Sequence, residues 1–192
     1  MSLLELLARA DERGLAASGV ACLDRCLPPP EDGGDPEPLR PLWAACESGA
    51  EWATRLDAAH AALESAAGSD DTAARVRTLL GGAPRDFDAG ALRAWADACS
   101  LLALDVHREF DVPAGAGPGT SGHGRAGAAA DSGPLAAGEL RRQTQILEGL
   151  AETAGTAGAG TGLRRVLDLS TEGRRVLRAV VSRRARGRAA RP

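Results

Sequence analysis

The chain contains no lysine, no tyrosine and no asparagine, and a single isoleucine, Ile146. All 23 of its basic residues are arginine. Without lysine there is no Schiff base to a carbonyl substrate, no pyridoxal anchor and no terminal lysine for a phosphate-binding loop. Without tyrosine there is no phenolic acid or base. Alanine, glycine and arginine fill the missing places, the bias that a GC-rich bacterial genome imposes on codons. Aromatics are scarce too: Trp43, Trp52, Phe87, Trp95 and Phe110 all precede residue 113, which places the expected core there. β-branched residues are too few and alternate too rarely to make a sheet. Nowhere does an apolar run approach the roughly 18 residues of a membrane span. The N-terminus, MSLLELLARADERG, lacks a basic n-region and carries Glu5 inside its apolar stretch, so a signal peptide is not expected and the cytoplasm is.

Four cysteines, Cys22, Cys26, Cys46 and Cys99, are too few and too scattered for a disulfide framework. Cys22 and Cys26 stand one helical turn apart. With no CxxC pair and no histidine nearby in sequence, they are expected to be small buried hydrophobes, and no metal or cofactor is expected.

What is present divides by charge. Residues 1–112 hold 20 acidic and 10 basic side chains, a net of −10, whereas residues 113–192 hold 6 and 13, a net of +7. A near-neutral total of −3 therefore conceals an acidic body and a basic end. The fold class expected is all-α: an up-and-down helical bundle over 1–112, a disordered Gly/Ala/Pro linker over 113–137, and an arginine-rich helical segment over 138–192. Within the body, leucines over residues 2–27 predict two helices parted near Gly14, and Pro28-Pro29-Pro30 stops the second. Leu39, Leu42, Cys46, Gly49, Ala53, Leu56, His60, Leu63 and Ala67 follow at alternating spacings of three and four, a continuous seam with Gly49 as its weak point. A short helix carries Val76, Leu79 and Leu80 behind an N-cap cluster, Ser69-Asp70-Asp71. Asp86 or Asp88 caps another, whose seam of Leu92, Trp95, Cys99, Leu102, Val106 and Phe110, broadened by Leu101 and Leu104, predicts the most enclosed helix of the set. Beyond the linker, Leu140, Leu147 and Leu150 mark a helix over about 138–153. A last helix spans about 163–185, with residues 170–173 as a candidate break, and the terminal RRARGRAARP is expected to fray.

Candidate chemistry is thin. The glycine-rich GTAGAGTG before the last helix has neither the preceding strand of a dinucleotide fold nor the Lys-Ser/Thr of a P-loop, and reads as a connector. Asp70-Asp71 reads as a helix cap. His60 occupies the buried seam and is expected to be a satisfied core residue. Phosphotransfer would need it exposed, and AHAALESAAG lacks a following lysine. His107 and Asp111, four apart, are expected to form an ordinary helix pair. A metal site joining His60, His107 and a cysteine would need them to meet in space, and His123 lies in the linker. The remaining candidate is the partner-binding set Arg164, Arg165, Arg174, Arg175, Arg178, Arg183, Arg184, Arg186 and Arg188, suited to carboxylates and phosphates.

The function expected is therefore a non-catalytic helical interaction or regulatory protein with an arginine-rich contact helix, binding a protein partner or its own copies. One alternative is a nucleic-acid-associated protein using the basic end, for which an anionic membrane surface is a further ligand. The second is a helical metal-binding or phosphotransfer protein centred on His60.

Overall fold

The computed structural model describes residues 1–27, 38–65, 71–111, 133–154 and 159–189. They form an all-α structure of eight helices with no strand among the described residues: α1 (Leu3–Arg9), α2 (Glu12–Cys26), α3 (Arg40–Ala45), α4 (Trp52–Ser65), α5 (Asp71–Gly81), α6 (Ala89–Asp111), α7 (Pro134–Glu152) and α8 (Ala159–Ala189).

The first two helices part at Ala10 and Asp11, not at Gly14. Ser2 closes α1 with a capping box to Glu5, and the Asp11 carboxylate accepts the Gly14 N–H at 2.7 Å, so Gly14 belongs to the first turn of α2. The expected rank of burial is also corrected. It is α2, not α6, that is enclosed: every residue from Arg13 to Cys26 is buried. α6, α7 and α8 pack directly on it, and so do α3 and α5. Ala16, Ala17, Gly19 and Ala21 let these neighbours approach. At Gly19 a Cβ would sit 2.5 Å from the Trp95 ring.

The seam over 39–67 is not one helix. α3 ends at Ala45, the chain turns through Gly49 (φ 71°) and Glu51 (φ 57°), and α4 restarts at Trp52. Gly49 faces Phe87, which packs edge-on against Trp52 with centroids 5.5 Å apart; Trp52 in turn meets Trp95 at 6.0 Å. The indole N–H groups of Trp52 and Trp95 donate to the carbonyls of Pro84 and Leu79, so both rings are buried with their polar atoms satisfied. A Cβ at Gly49 would collide with Phe87 at 2.5 Å on a backbone already left-handed. Gly49→Ala is therefore expected to destabilise the protein by about 1–3 kcal/mol, read as a lower urea midpoint with an unchanged slope.

α6 is capped by Asp88, whose carboxylate accepts from the Gly90 and Ala91 N–H groups. At its other end Asp111 reaches forward to cap α7, taking the Leu135 and Ala136 N–H groups at 2.9 and 2.8 Å. α7 begins at Pro134 behind its N-cap Gly133, so residues 134–137 of the expected linker are its first turn; residues 113–132 of that linker lie outside the described set, as do the cap positions Ser69 and Asp70. α8 starts at Ala159 and runs unbroken through residues 170–173. Gly173 is buried there, and a Cβ on it would strike the Arg25 side chain. One hydrophobic cluster spans the whole: Leu15, Val20, Leu23, Leu92, Trp95 and Val106 share it with Ile146, Leu147, Leu150, Leu163, Val166 and Leu177. No helix of the described residues is long and apolar enough to cross a membrane.

Candidate functional site

The sheltered centre of the molecule holds a polar cluster built from three helices. Arg25 on α2 is fully buried and pairs with Glu139 on α7, 114 residues away in sequence and equally buried. The pairing is bidentate: Nε donates to Oε2 at 2.9 Å and Nη2 donates to Oε1. Nη2 also points at the Cys22 sulfur at 3.6 Å. Gln143, one turn along α7, donates to Glu139 Oε1 at 2.9 Å and to the Ser100 carbonyl at 3.2 Å, and its own oxygen accepts from the Ser100 hydroxyl. His107 of α6 completes the cluster. Its Nδ1 lies 2.7 Å from the Ala103 carbonyl, which can only accept, so Nδ1 carries the proton. Nε2 then faces Glu139 Oε2 at 3.7 Å and has no hydrogen-bond partner among the described residues.

Burial and pairing pull these groups in opposite directions. Desolvation alone would raise the Glu139 pKa, but the Arg25 charge and its hydrogen bonds outweigh that and hold the carboxyl below its ordinary range. Desolvation likewise opposes the charge on Arg25, and Glu139 reverses it, so Arg25 remains a cation. For His107 burial prevails over the attraction of Glu139, and its pKa is lowered. Burial pushes the Cys26 and Cys99 thiols well above their usual range, so they stay protonated. None of the four cysteines is in a disulfide, and all four are buried.

A second polar joint fixes α8 against α2. The Ser170 hydroxyl lies 3.0 Å from Asp24 Oδ2 and 3.3 Å from the Ala21 carbonyl, and Arg174 reaches Asp24 Oδ1 at 3.3 Å. Further along α8, Arg184 donates to the Phe110 carbonyl at 2.7 Å and to the Glu109 carbonyl at 3.3 Å, with its guanidinium 5.2 Å above the Phe110 ring. It thus neutralises the negative end of α6 while stacking on an aromatic face.

The arginine set therefore splits in two. Arg174 and Arg184 turn inward and anchor α8. Arg164, Arg165, Arg175, Arg178, Arg183 and Arg186 are exposed; Arg165 stands 3.9 Å from Glu152, and Arg175 stands 3.8 Å from Glu172. Arg188 belongs to the last turn of α8, and its side chain lies outside the described set.

The histidines are placed differently from expectation. His60 is half-buried, not enclosed: the buried face of α4 runs through Trp52, Leu56, Ala59 and Leu63, and His60 lies at its margin beside α5, in a surface depression lined by Glu64, Arg77, Thr78 and Gly81. His107 faces Glu139, while Asp111 is committed to capping α7, so the expected pair between them does not form. His123 lies outside the described residues. Among the described residues no three His, Cys, Asp or Glu side chains converge in a way that could hold a metal ion.

Sequence reasoning passed over Arg25, Ser100, Glu139 and Gln143. A signal existed for Arg25: GLAASGVACL, residues 14–23, is uncharged throughout, so the helix carrying it had to be sheltered, and the cation two residues on had to find a partner inside. No protein-family model matches the sequence, and neither a curated protein nor a solved structure resembles it significantly.

Proposed function

We propose that the protein is a non-catalytic interaction module whose contact element is the outer face of the second half of α8, and that this face takes an acidic protein surface. The observation that carries the reading is the division of labour among the arginines. Two of them fix the orientation of the helix, and Arg175, Arg178, Arg183 and Arg186 project from the side left over. No acidic residue follows Glu172, so this face carries one sign of charge. Val181, 40% exposed, lies among the arginines, and an apolar side chain there suits a protein surface better than a phosphate backbone. An acidic surface is at hand in a second copy, whose residues 1–112 carry a net of −10.

The test is sedimentation of the full chain at low and high salt, beside the quadruple variant Arg175→Glu, Arg178→Glu, Arg183→Glu, Arg186→Glu. Exposed pairs are individually worth about 0.2–1 kcal/mol, so four reversals together should weaken self-association at low salt by tenfold or more. Val181→Asp should weaken it as well. A chain that stays monomeric at low salt but binds duplex DNA, with an affinity falling steeply as salt rises, would instead place the protein among nucleic-acid binders.

A further inference from the structure

We infer that His107, Glu139 and Arg25 form a proton-operated latch, in which protonation of His107 Nε2 draws Glu139 away from Arg25 and loosens α7 from α2 and α6. The geometry carries it. A neutral imidazole with its proton on Nδ1 presents a bare lone pair at Nε2, and the atom it faces, Glu139 Oε2 at 3.7 Å, is also an acceptor. Two acceptors confronting each other make no bond, which is why Nε2 is without a partner; Arg25 Nη1 is the cluster's other polar atom with no hydrogen-bond partner among the described residues. A proton added to Nε2 converts that confrontation into a charged N–H facing a carboxylate. Oε2 is the same oxygen that accepts Arg25 Nε at 2.9 Å. The new donor therefore pulls on the same carboxylate that ties α2 to α7, and it leaves two cations sharing one anion in a site that is closed to water.

The groups of the cluster and those facing it decide the pH at which this happens. From α2 come Arg25 and the thiols of Cys22 and Cys26; from α6 come His107 itself, Ser100 and Cys99; from α7 come Glu139, Gln143 and Arg142. α8 brings Glu172 toward Arg142, and α5 brings Arg75 toward Cys26. Arg25 keeps its charge, the buried thiols of Cys26 and Cys99 keep their protons, and Glu139 is held ionised to below the ordinary carboxyl range. Within the cluster the imidazole is thus the group that takes up a proton as pH falls below its ordinary value of about 6.5. Its pKa is lowered when α7 is docked and returns toward about 6.5 when the site opens to water. The docked state is accordingly favoured above that value, and its advantage declines as pH falls toward the docked pKa. Between the two values the opening constant grows about tenfold per pH unit, for one proton taken up.

Hydrogen exchange on the full chain, corrected for the intrinsic pH dependence of the amide rate, tests this. Protection in α7 should fall about tenfold per pH unit below about pH 6.5 while protection in α4 and α5 stays level, and His107→Gln should flatten the α7 profile. If that variant does not fold, the imidazole proton resonances of the wild-type chain decide the matter. The titration assigned to His107 should share its midpoint with the loss of α7 protection. The latch is overturned if α7 and α4 lose protection together, if His107→Gln keeps the slope, or if His107 stays neutral through the opening of α7.

Discussion

Replacing Arg25 by alanine should destabilise the protein by about 3–5 kcal/mol, a large share of the roughly 5–15 kcal/mol that holds a domain of this size together. The loss arises less from the attraction removed than from what is left behind. Glu139, fully buried, would retain the Gln143 amide and lose both guanidinium donors and its counter-charge. Its pKa would climb, because desolvation, now opposed by little, favours the neutral acid. Glu139→Ala should be about as severe, since it strands the guanidinium against Cys22 and the walls of α6 and α8. The double variant Arg25→Met, Glu139→Leu removes both charges and keeps most of the volume, and it should recover the greater part of either single loss, because the ion pair's attraction is largely offset by its desolvation. Urea denaturation of the four proteins closes the cycle, with an expected coupling of about 3 kcal/mol. A single substitution that costs under about 1 kcal/mol, or a double variant as unstable as the two singles combined, would show that water reaches the site.

The helices themselves were largely legible because their signals are local. Alternating three- and four-residue spacing marked α6 and the two halves of the 39–67 seam, and Asp88 announced the start of α6 by its position before an apolar run. Where the reading of boundaries went astray, a tertiary contact had overridden a local signal. Residues 170–173 look like a break, with Ser170 or Thr171 ready to cap a new segment. Instead the Ser170 hydroxyl is taken up by Asp24 and Ala21 of α2, and the missing side chain of Gly173 makes room for Arg25. The seam's spacing continues unbroken across Cys46–Ala53, with Gly49 as its weak point, and the chain does turn there, at Gly49 and Glu51; the helix that restarts buries Trp52, Leu56, Ala59 and Leu63, which leaves His60 at the margin of its buried face.

The polar cluster was harder to foresee for a different reason. Arg25 and Glu139 sit on helices separated by 114 residues, and nothing in local spacing pairs two charges at that distance. In sequence Glu139 resembles any acidic residue near the start of a helix. Only the enclosure of α2 could have hinted at it. A helix whose neighbours crowd it on every side cannot send an arginine to water, so the carboxylate had to come from another helix.

The same enclosure predicts the behaviour of the N-terminal part alone. A fragment comprising residues 1–112 should fail to hold a cooperative fold, although it keeps every aromatic residue. Cutting there strips from the common cluster Ile146, Leu147, Leu150, Leu163, Val166 and Leu177, and each such side chain contributes about 1.5–3 kcal/mol when fully buried. Their removal exposes the faces of α2 and α6 that they cover, and it deprives Arg25 of Glu139 and Asp24 of its contacts with Ser170 and Arg174. The combined loss rivals the whole stability of an ordinary domain, about 5–15 kcal/mol. The expected result is a fragment with reduced helical circular dichroism and a broad, shallow urea transition in place of a sharp one. Supplying residues 133–189 as a separate chain should restore the sharp transition, because the joints between α2, α6, α7 and α8 are made by side chains and do not depend on the connection between them. A fragment that unfolds as sharply as the full chain, and at the same urea concentration, would show that α7 and α8 are an appendage to a core complete without them.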